Sequence, residues 1–500
     1  MRAYLASSIG VACTAALVLP LSLPSGAVAS PQASVPHTAV QAAPRTAVQA
    51  MTPRTAPSAP SAADPRAVAG STQSLPLAPL ATDRATGVAT VQGLARRDVR
   101  PFSLLGVVWD SADDELNGTV QVRTRATGTQ VWSGWLDLET HNQEHGADLG
   151  TEERSAATVH GATAPLWVGD SDGVELRVRA VEESSPKGPA RPLLPRGLRL
   201  ELVDPGAEPA ATTTAGGPQA TRPNGPSDTP DTPAVPGTVP GTAGTPAEEE
   251  RMPVAMTAGD AASSAVNADL AELGATEIAA QTKEQTEADL ADQVGFAQPY
   301  IGARPRIVTR KGWGADENLR ERKFGYTKSV KAAFVHHSAT GNNYTCAQAP
   351  SVLRGIYRYH VVSSGWRDIG YNFAIDKCGN IYEGRAGGVA KPVMGAHTLG
   401  FNTNSVGIAV LGTYSSTNPP AAATTAIAKL TAWKLGLYGV NPRGKSTLTS
   451  GGSNKYKKGT KVALNAISGH RDGFVTECPG SRLYEKLGTT RTTSAKYQGR

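Results

Sequence analysis

Two long stretches with few large apolar residues divide this chain of 500 residues into separate folding units. Residues 30–88 are dominated by Ala, Pro, Ser and Thr, and residues 206–255 by Pro, Gly, Thr and Ala. Such segments cannot bury enough apolar surface to offset the loss of chain entropy, so we predict a disordered segment followed later by a flexible linker. A chain of this length also exceeds what one hydrophobic core usually supports. We therefore predict two structured domains, at residues 89–205 and 297–490.

The first 29 residues have the features of an export signal. Arg2 is the only charged residue, an apolar run covers residues 11–23, and small residues at 27–29 suit a cleavage site. A transmembrane anchor is the alternative, but the apolar run is short and is interrupted by proline. We predict a protein that is secreted, extracellular or associated with a cell wall, without membrane insertion.

Residues 89–205 alternate between apolar and polar side chains in short segments that are separated by Gly, Asp and Asn. Examples are residues 104–109, 120–123, 174–178 and 198–202. Alternation with a period of two is typical of half-buried strands, and several such strands predict an antiparallel, β-sandwich-like domain. The function of this domain is not legible from its sequence.

Residues 297–490 interleave apolar, β-rich segments with helical ones, which predicts an α/β domain with a mixed central sheet flanked by helices. Predicted strands cover residues 332–336, 405–411 and 462–468, a hairpin surrounds residues 378–379, and helices cover 349–361 and 421–437. Before this domain, the linker is extended to residue 296 and includes a possible helix within 258–292. After it, residues 491–500 are predicted to be a C-terminal tail.

The two parts of the chain carry opposite charge. Residues 301–500 contain 29 Lys and Arg against 9 Asp and Glu, whereas residues 1–300 contain 20 against 34. A domain this basic favours an anionic partner, although basic residues retained for solubility would give the same count. Nucleic acid is not supported, because the chain has no zinc-finger spacing and no aromatic RNA-binding motif. A cell wall with carboxylate-bearing peptides and anionic polymers fits the predicted compartment better. The sequence does not indicate an oligomeric state.

Histidine and cysteine concentrate near predicted strand ends in the last domain. His336 and His337 end a buried strand, so their side chains point to opposite faces and only one can serve a given site. His470 follows another strand, and Cys478 comes eight residues later. Two imidazoles and a thiolate with one open position would make a catalytic zinc site. From the residues alone, packed or surface histidines remain an equally good interpretation.

Motifs in this domain resemble those of the peptidoglycan recognition proteins, which are related to zinc-dependent N-acetylmuramoyl-L-alanine amidases. The resemblance covers roughly residues 304–484, and we identify the chain as similar to a secreted bacterial form. The motifs occur in family order and are Trp-Gly-Ala at 313–315, Val-His-His-Ser-Ala-Thr at 335–340, Gly-Trp-Arg-Asp-Ile-Gly-Tyr-Asn-Phe at 365–373, Ile-Tyr-Glu-Gly-Arg at 381–385, Gly-Ala-His-Thr at 395–398, Asn-Ser-Val-Gly-Ile at 404–408, Gly-His-Arg-Asp at 469–472 and Cys-Pro-Gly at 478–480.

The resemblance implies a ligand set and a reaction. His336, His470 and Cys478 match the positions that bind zinc in the members that cleave peptidoglycan. Tyr371 is then expected to lie over a zinc-bound water, and Thr476 to stabilise the developing oxyanion. The implied reaction is zinc-dependent hydrolysis of the amide between N-acetylmuramic acid and L-alanine.

The same resemblance extends to the remaining cysteines and to the substrate groove. Cys13 belongs to the predicted export signal, so with Cys478 assigned to the metal, Cys346 and Cys378 are predicted to form a disulfide. Candidate substrate-binding residues lie in or beside family-like motifs: His360, Arg385, His397 and Asn402. After Arg385, the chain has Ala-Gly-Gly where many relatives carry Gly-Trp, so the preference for the third stem-peptide residue is not defined.

Two alternatives to a zinc amidase remain at this stage. One is a recognition module that binds peptidoglycan without cleaving it. The other is a cysteine hydrolase in which Cys478 is the nucleophile and a histidine the base. The resemblance disfavours the second, because it implies that Cys478 is bound to the metal.

Overall fold

The structure is a computed structural model that describes residues 70–82, 89–140, 142, 144–181, 194–207, 256–294 and 300–500. The predicted export signal, most of the segment predicted to be disordered and most of the Pro- and Gly-rich linker lie outside these residues. Within the described part of the chain, no helix combines the length and the apolar character needed to cross a bilayer.

The N-terminal domain contains one hydrogen-bonded sheet of eight strands among the described residues. In chain order these are β1 Ser71–Pro76, β2 Ala78–Thr82, β3 Ala89–Trp109, β4 Gly118–Ala126, β5 Leu136–Leu138, β6 Gly161–Ala162, β7 Leu166–Ala180 and β8 Arg199–Asp204. The order is β1-β8-β3-β7-β4-β5, with β2 and β6 also paired to β3. Irregular register between β3 and β7 lets the two long strands bend, so that the sheet can enclose a core.

That core confirms the predicted β-sandwich-like character of the domain. Alternate side chains of β3, among them Leu105 and Val107, pack with Leu200 and Leu202 of β8. The intervening side chains of β3 face the other way, and Leu104 joins a second cluster that includes the C-terminal domain. Both faces of this part of the sheet are therefore buried, which follows from the side-chain period of two in a strand.

The C-terminal domain is an α/β structure, as predicted. Its helices are α1 Ala258–Ala265, α2 Lys283–Val294, α3 Arg310–Trp313, α4 Ala349–Arg358, α5 Ala421–Gly436, α6 His470–Gly473, α7 Ser481–Tyr484 and α8 Leu487–Tyr497. A π-helical turn, Tyr359–Ser363, continues α4. Its strands are β9 Glu277–Ile278, β10 Ile307–Val308, β11 Ala332–His337, β12 Phe373–Ile375, β13 Ile381–Glu383, β14 Ser405–Val410, β15 Lys445–Thr449, β16 Lys461–Asn465 and β17 Ile467–Gly469.

Seven of these strands form the mixed central sheet, in the order β17-β11-β14-β12-β13-β10-β9. The strands β17, β11, β14 and β12 run parallel, whereas β12 and β13 form the predicted antiparallel hairpin. Because parallel strands end at the same edge, residues that follow β11 and β17 are brought together. This edge is where open α/β sheets usually bind ligands.

Each face of the central sheet packs against helices. Phe373 and Ile375 of β12 share a cluster with Trp433 of α5, while Ala374 between them shares another with Ile356 of α4. The second cluster also contains Leu104 of the N-terminal domain. The hydroxyl of Tyr359 extends this contact by donating to backbone carbonyls of the N-terminal domain. The two domains thus share part of one apolar core.

The predicted disorder of residues 30–88 is wrong for residues 71–82, which form β1 and β2. Strand β1 pairs with β8 along its whole length, and β2 pairs with β3. Backbone hydrogen bonds at a sheet edge stabilise a segment with few large apolar side chains, and prolines are tolerated there. Leu75 and Leu77 add contacts to the core. Composition alone underestimated the order of residues 71–82, because backbone hydrogen bonds between strands do not depend on side-chain composition.

The boundaries predicted for the C-terminal domain also need correction. The predicted helix within 258–292 is present as two helices, but residues 256–294 belong to the domain and not to a linker, because Ile278 of β9 is fully buried in its core. Residues 491–500 are not a tail, since α8 continues to Tyr497 and packs on α5 through small buried residues such as Ser494. The strand predicted at 462–468 is two strands, β16 in a hairpin with β15 and β17 in the central sheet.

The predicted disulfide between Cys346 and Cys378 is confirmed, with a Cα–Cα distance of 6.1 Å. It joins the 3-10 turn that precedes α4 to the turn between β12 and β13. Cys478 is the free cysteine among the described residues, and it is buried.

Candidate metal centre

His336 is positioned by the middle of the parallel sheet. It occupies the penultimate position of β11, which is hydrogen-bonded to β14 on one side and β17 on the other. The side chain is fully buried. His337 points to the other face, where its Nδ1 accepts a hydrogen bond from the backbone of Tyr414. The two faces of the strand thus give the neighbouring histidines different surroundings, and His336 is the one that meets the other candidate ligands.

His470 and Cys478 reach the same place from the neighbouring strand. His470 begins α6 directly after β17, and the Asp472 side chain accepts a hydrogen bond from the Gly469 backbone at this junction. The chain then turns back, and Arg471 donates from its backbone to the carbonyl of Cys478. This short return loop brings the thiol alongside the two imidazoles, as the motif order had implied.

A fourth donor joins these three. One ring nitrogen each from His145, His336 and His470, together with the Cys478 sulfur, lie within 4.8 Å of one another. The Cys478 Sγ is 3.7 Å from His336 Nδ1 and 3.8 Å from His145 Nε2. His145 belongs to the N-terminal domain, and the sequence did not single it out.

The donor set has the chemistry of a zinc site. Neither ring nitrogen of buried His470 makes a hydrogen bond of good geometry among the described residues, although the Glu144 backbone lies beside the ring. Buried polar atoms usually have a partner, and a metal ion would provide one. Imidazole nitrogen and thiolate sulfur in a tetrahedral set are typical zinc ligands.

Burial dominates the electrostatics of the cluster. It lowers the pKa of His145 to about 3 and the pKa of His336 and His470 well below the ordinary value, so the imidazoles are neutral and can act as ligands. Burial also raises the pKa of the Cys478 thiol, and Glu139 and Glu144 raise it further. Activated nucleophilic cysteines have the opposite shift, whereas a bound cation would stabilise the thiolate here.

His397, which we predicted to bind substrate, lies behind His336 and is fully buried. Its Nδ1 is 3.2 Å from His336 Nε2, and its Nε2 is 3.3 Å from the Ser405 hydroxyl. If His336 binds a metal through Nδ1, its Nε2 carries the hydrogen and donates it to His397. Such partners orient metal-binding histidines. For His397, the structure thus shows a buried contact with His336.

The two predicted catalytic residues flank the cluster. Tyr371 lies immediately before β12, and its ring centroid is 5.5 Å from that of His336 and 5.9 Å from that of His145. The Thr476 hydroxyl accepts a hydrogen bond from the Cys478 backbone and donates one to Glu144 at 2.8 Å. Both are close enough to the candidate ligands to act on one bound group.

The other predicted substrate-binding residues surround the cluster. The His360 ring is tilted against the Tyr371 ring, with centroids 5.8 Å apart, and its Nδ1 accepts a hydrogen bond from the Gly370 backbone. Arg385 forms a buried ion pair with Glu153, at 2.7 Å and 2.9 Å. The Asn402 side chain accepts from the backbone of His397 and donates to Asp148. All three are buried, and two are bound by residues of the N-terminal domain.

Comparisons with known proteins match both domains of the chain. A family described as N-acetylmuramoyl-L-alanine amidase matches residues 326–481, and one described as Rv3811 N-terminal galactose-binding domain-like matches residues 53–196. Peptidoglycan-recognition protein SC2 of Drosophila simulans is 34% identical over 193 residues, which cover 39% of this chain and 89% of that protein. The chain belongs to the peptidoglycan recognition protein family.

Two further relatives match the same part of the chain. Human N-acetylmuramoyl-L-alanine amidase is 30% identical over 198 residues, which are 39% of this chain and 30% of the human protein. The structure of wild-type Drosophila PGRP-LB is 28% identical, covers 37% of this chain and 92% of that one, and has a TM-score of 0.29.

Sequence reasoning missed the residues that the N-terminal domain adds to this cluster and its surroundings. These residues lie in the connection between β5 and β6, which contains no family-like motif and no helical or strand periodicity. The one available signal is charge, because residues 139–153 contain five Asp and Glu and no Lys or Arg. An acidic segment and a basic domain in one chain suggest contact, but they do not indicate where it occurs.

Proposed function

We propose that this protein is a zinc-dependent N-acetylmuramoyl-L-alanine amidase, which hydrolyses the amide between N-acetylmuramic acid and L-alanine in peptidoglycan. The observation that supports it most directly is the convergence of His336, His470 and Cys478 at the C-terminal edge of the parallel strands. A bacterial wall substrate is also consistent with the excess of basic residues in residues 301–500.

The chain's own residues have separable roles in this reaction. Zinc bound by the three ligands would polarise both a water molecule and the scissile carbonyl. The Tyr371 hydroxyl, protonated at neutral pH, would orient the attacking water or pass on a proton. The Thr476 hydroxyl would donate to the oxygen that becomes negative. His397 would hold His336 in the orientation that presents Nδ1.

Arg385, His360 and Asn402 remain candidates for substrate contacts. Arg385 is suited to a carboxylate of the stem peptide, because a guanidinium binds a carboxylate through two parallel hydrogen bonds. Glu153 forms that type of contact with Arg385 in this structure. A substrate carboxylate would therefore have to replace Glu153.

The confirmed disulfide supports an extracellular location, because disulfides persist in oxidising compartments. We propose that residues 1–29 direct export and are then removed. Expression in a secreting host, followed by N-terminal sequencing of the protein in the medium, is expected to give a start at Ser30. A protein retained in the cell with Met1 intact would contradict this.

Digestion of purified peptidoglycan tests the proposed activity. Full-length protein and a His145→Gln variant are each incubated with the wall, with and without a chelator, and released stem peptides are measured. We include the variant because His145 shares the metal centre. Release that stops with chelator and returns with added zinc is the expected result.

The other outcomes separate the alternatives. No release by the full-length protein, by His145→Gln or by the double variant His145→Gln and Glu153→Gln, with binding to the wall retained, would contradict amidase activity and indicate a recognition module. Release that resists the chelator but is abolished by a thiol-blocking reagent would indicate a cysteine hydrolase.

A further inference from the structure

His145 lies far from the other ligands in sequence but inside their cluster in space. It is 333 residues from Cys478, yet its Nε2 is 3.8 Å from the sulfur. Its ring centroid is 4.5 Å from that of His470 and 5.2 Å from that of His336. The side chain is 5% exposed. His145 is thus the member of the cluster that the N-terminal domain contributes.

The number of ligands has a chemical consequence. Catalytic zinc sites use three protein ligands and keep a position open, whereas structural sites are closed by four. The cluster offers four donors, three imidazoles and one sulfur. With His145 bound, the centre would be closed.

Residues close to His145 in sequence form hydrogen bonds with residues that surround the cluster. We call residues 144–153 the plug loop. Glu144 accepts the hydroxyl hydrogen of Thr476, and Asp148 accepts from the Asn402 side chain and the Gly400 backbone, both at 2.7 Å. Three proposed functional elements, the metal ligands, Thr476 and Asn402, are thus contacted by consecutive parts of one loop.

Glu153 completes the set at the far end of the loop. Its two carboxylate oxygens bind two nitrogens of the Arg385 guanidinium, and the pair is almost fully buried. Burial tends to raise the pKa of Glu153, but the charge and hydrogen bonds of Arg385 outweigh it and lower that pKa. The carboxylate is charged and occupies the position that a carboxylate of the substrate would need.

Chance contact between two domains is a poor explanation for these interactions. Acidic side chains are rarely buried unless they have a partner. Glu144, Asp148 and Glu153 are each less than 9% exposed, and each forms a hydrogen bond or ion pair with a residue of the C-terminal domain. Leu104 and residues of α4 share an apolar core that holds the two domains together. This packing keeps the plug loop next to the cluster.

We propose that His145 is a fourth metal ligand and that the plug loop holds the centre in a closed, latent form. Activity then requires the loop to withdraw, so that His145 leaves the metal and Glu153 releases Arg385. The inference rests on the proposed amidase function, but the closed metal centre can be tested without measuring amidase activity.

Cobalt(II) substitution provides that test. Full-length wild-type protein is loaded with Co²⁺, its visible absorption spectrum is recorded, and azide is then titrated in. A closed four-ligand centre has no position for azide, so the wild-type spectrum is expected to stay unchanged. In His145→Gln, azide is expected to bind and to shift the d–d bands, while the sulfur-to-cobalt charge-transfer band of Cys478 remains.

Two further variants complete the design. His160→Gln removes a histidine of the same domain that lies outside the metal cluster, and it is expected to match wild type. Glu153→Gln weakens the ion pair without touching the metal, so its spectrum is expected to respond partly to azide. This variant also keeps the test decisive if His145→Gln does not fold.

Stem-peptide release is measured in parallel. If the open form is at most about a tenth of the wild-type population, opening the centre raises release by about tenfold or more. Two results would overturn the inference. One is that azide binds to wild type as tightly as to His145→Gln, and the other is that the spectra of both His145→Gln and Glu153→Gln stay unchanged with azide. The double variant His145→Gln and Glu153→Gln removes both blocks, so an open centre in that variant without release of stem peptide would contradict the amidase function and leave the closed centre standing.

Discussion

Cys478→Ala is expected to lose bound zinc and to reduce stem-peptide release by about a thousandfold or more, since the metal supplies several kcal/mol of transition-state stabilisation. Cys478 is the only sulfur donor in the cluster, and its side chain is fully buried between His336 and His145. In a His145→Gln background, alanine leaves only His336 and His470 of the cluster to hold the ion. Zinc content per chain, measured by mass spectrometry of the native protein, and peptide release check the two parts of the prediction.

Cys478→Ala is compared with the parent protein in a His145→Gln background, so that the latent state of the wild type does not mask the loss of stem-peptide release. A matched control is the double variant Cys346→Ser and Cys378→Ser, which removes the disulfide and leaves the cluster donors in place. That control is expected to keep zinc, and its activity when folded. Cys478→Ala that retains both full zinc content and undiminished release would refute the ligand set.

Arg310→Met is expected to destabilise the protein by about 3 to 5 kcal/mol, the usual cost of removing one partner from a buried ion pair. Arg310 is 1% exposed and binds two buried carboxylates, Glu317 at 2.6 Å and Asp368 at 3.1 Å. It also donates to the carbonyl of Gly384 at 2.5 Å. The network therefore joins α3 to the segments that carry Tyr371 and Arg385. Chemical denaturation measures the change in free energy of unfolding.

The pH dependence of this difference has a definite sign. Burial tends to raise the pKa of Glu317, but the charge of Arg310 outweighs it and lowers that pKa below the ordinary 4.5. A lowered folded-state pKa contributes stability at pH above the ordinary value, and this stability is lost as pH falls through the folded-state pKa. The difference between wild type and Arg310→Met should therefore be largest near neutral pH and shrink in acid.

Arg322→Met is the control for this prediction, because Arg322 lies nearby in sequence but is exposed. Its free energy of unfolding is expected to stay within about 0.5 kcal/mol of wild type. A similar loss in both variants, or a difference that grows in acid, would contradict the proposed role of the buried network.

Local patterns predicted most of the secondary structure of the C-terminal domain. The strand that ends in His336 and His337, the hairpin around Cys378 and the helix through Trp433 all have an apolar period that matches the element formed. Predictions were wrong where stability comes from pairing or close packing of small residues, as in β1 and α8. Alanine-, threonine- and serine-rich segments have no strong apolar period, so their order depends on the partner surface.

The sequence by itself determined the candidate ligands His336, His470 and Cys478, because each lies in a short family motif next to a strand. It also determined the disulfide, since Cys13 belongs to the predicted export signal and one of the other three thiols was already assigned to the metal. Only the tertiary structure placed His397 behind His336, and only it brought His145 and Glu153 into the site. His145 and Glu153 lie in a loop without periodicity or motif. His145 is 333 positions from Cys478, and Glu153 is 232 positions from Arg385. Their positions follow from how the two domains pack, and local sequence does not encode that packing.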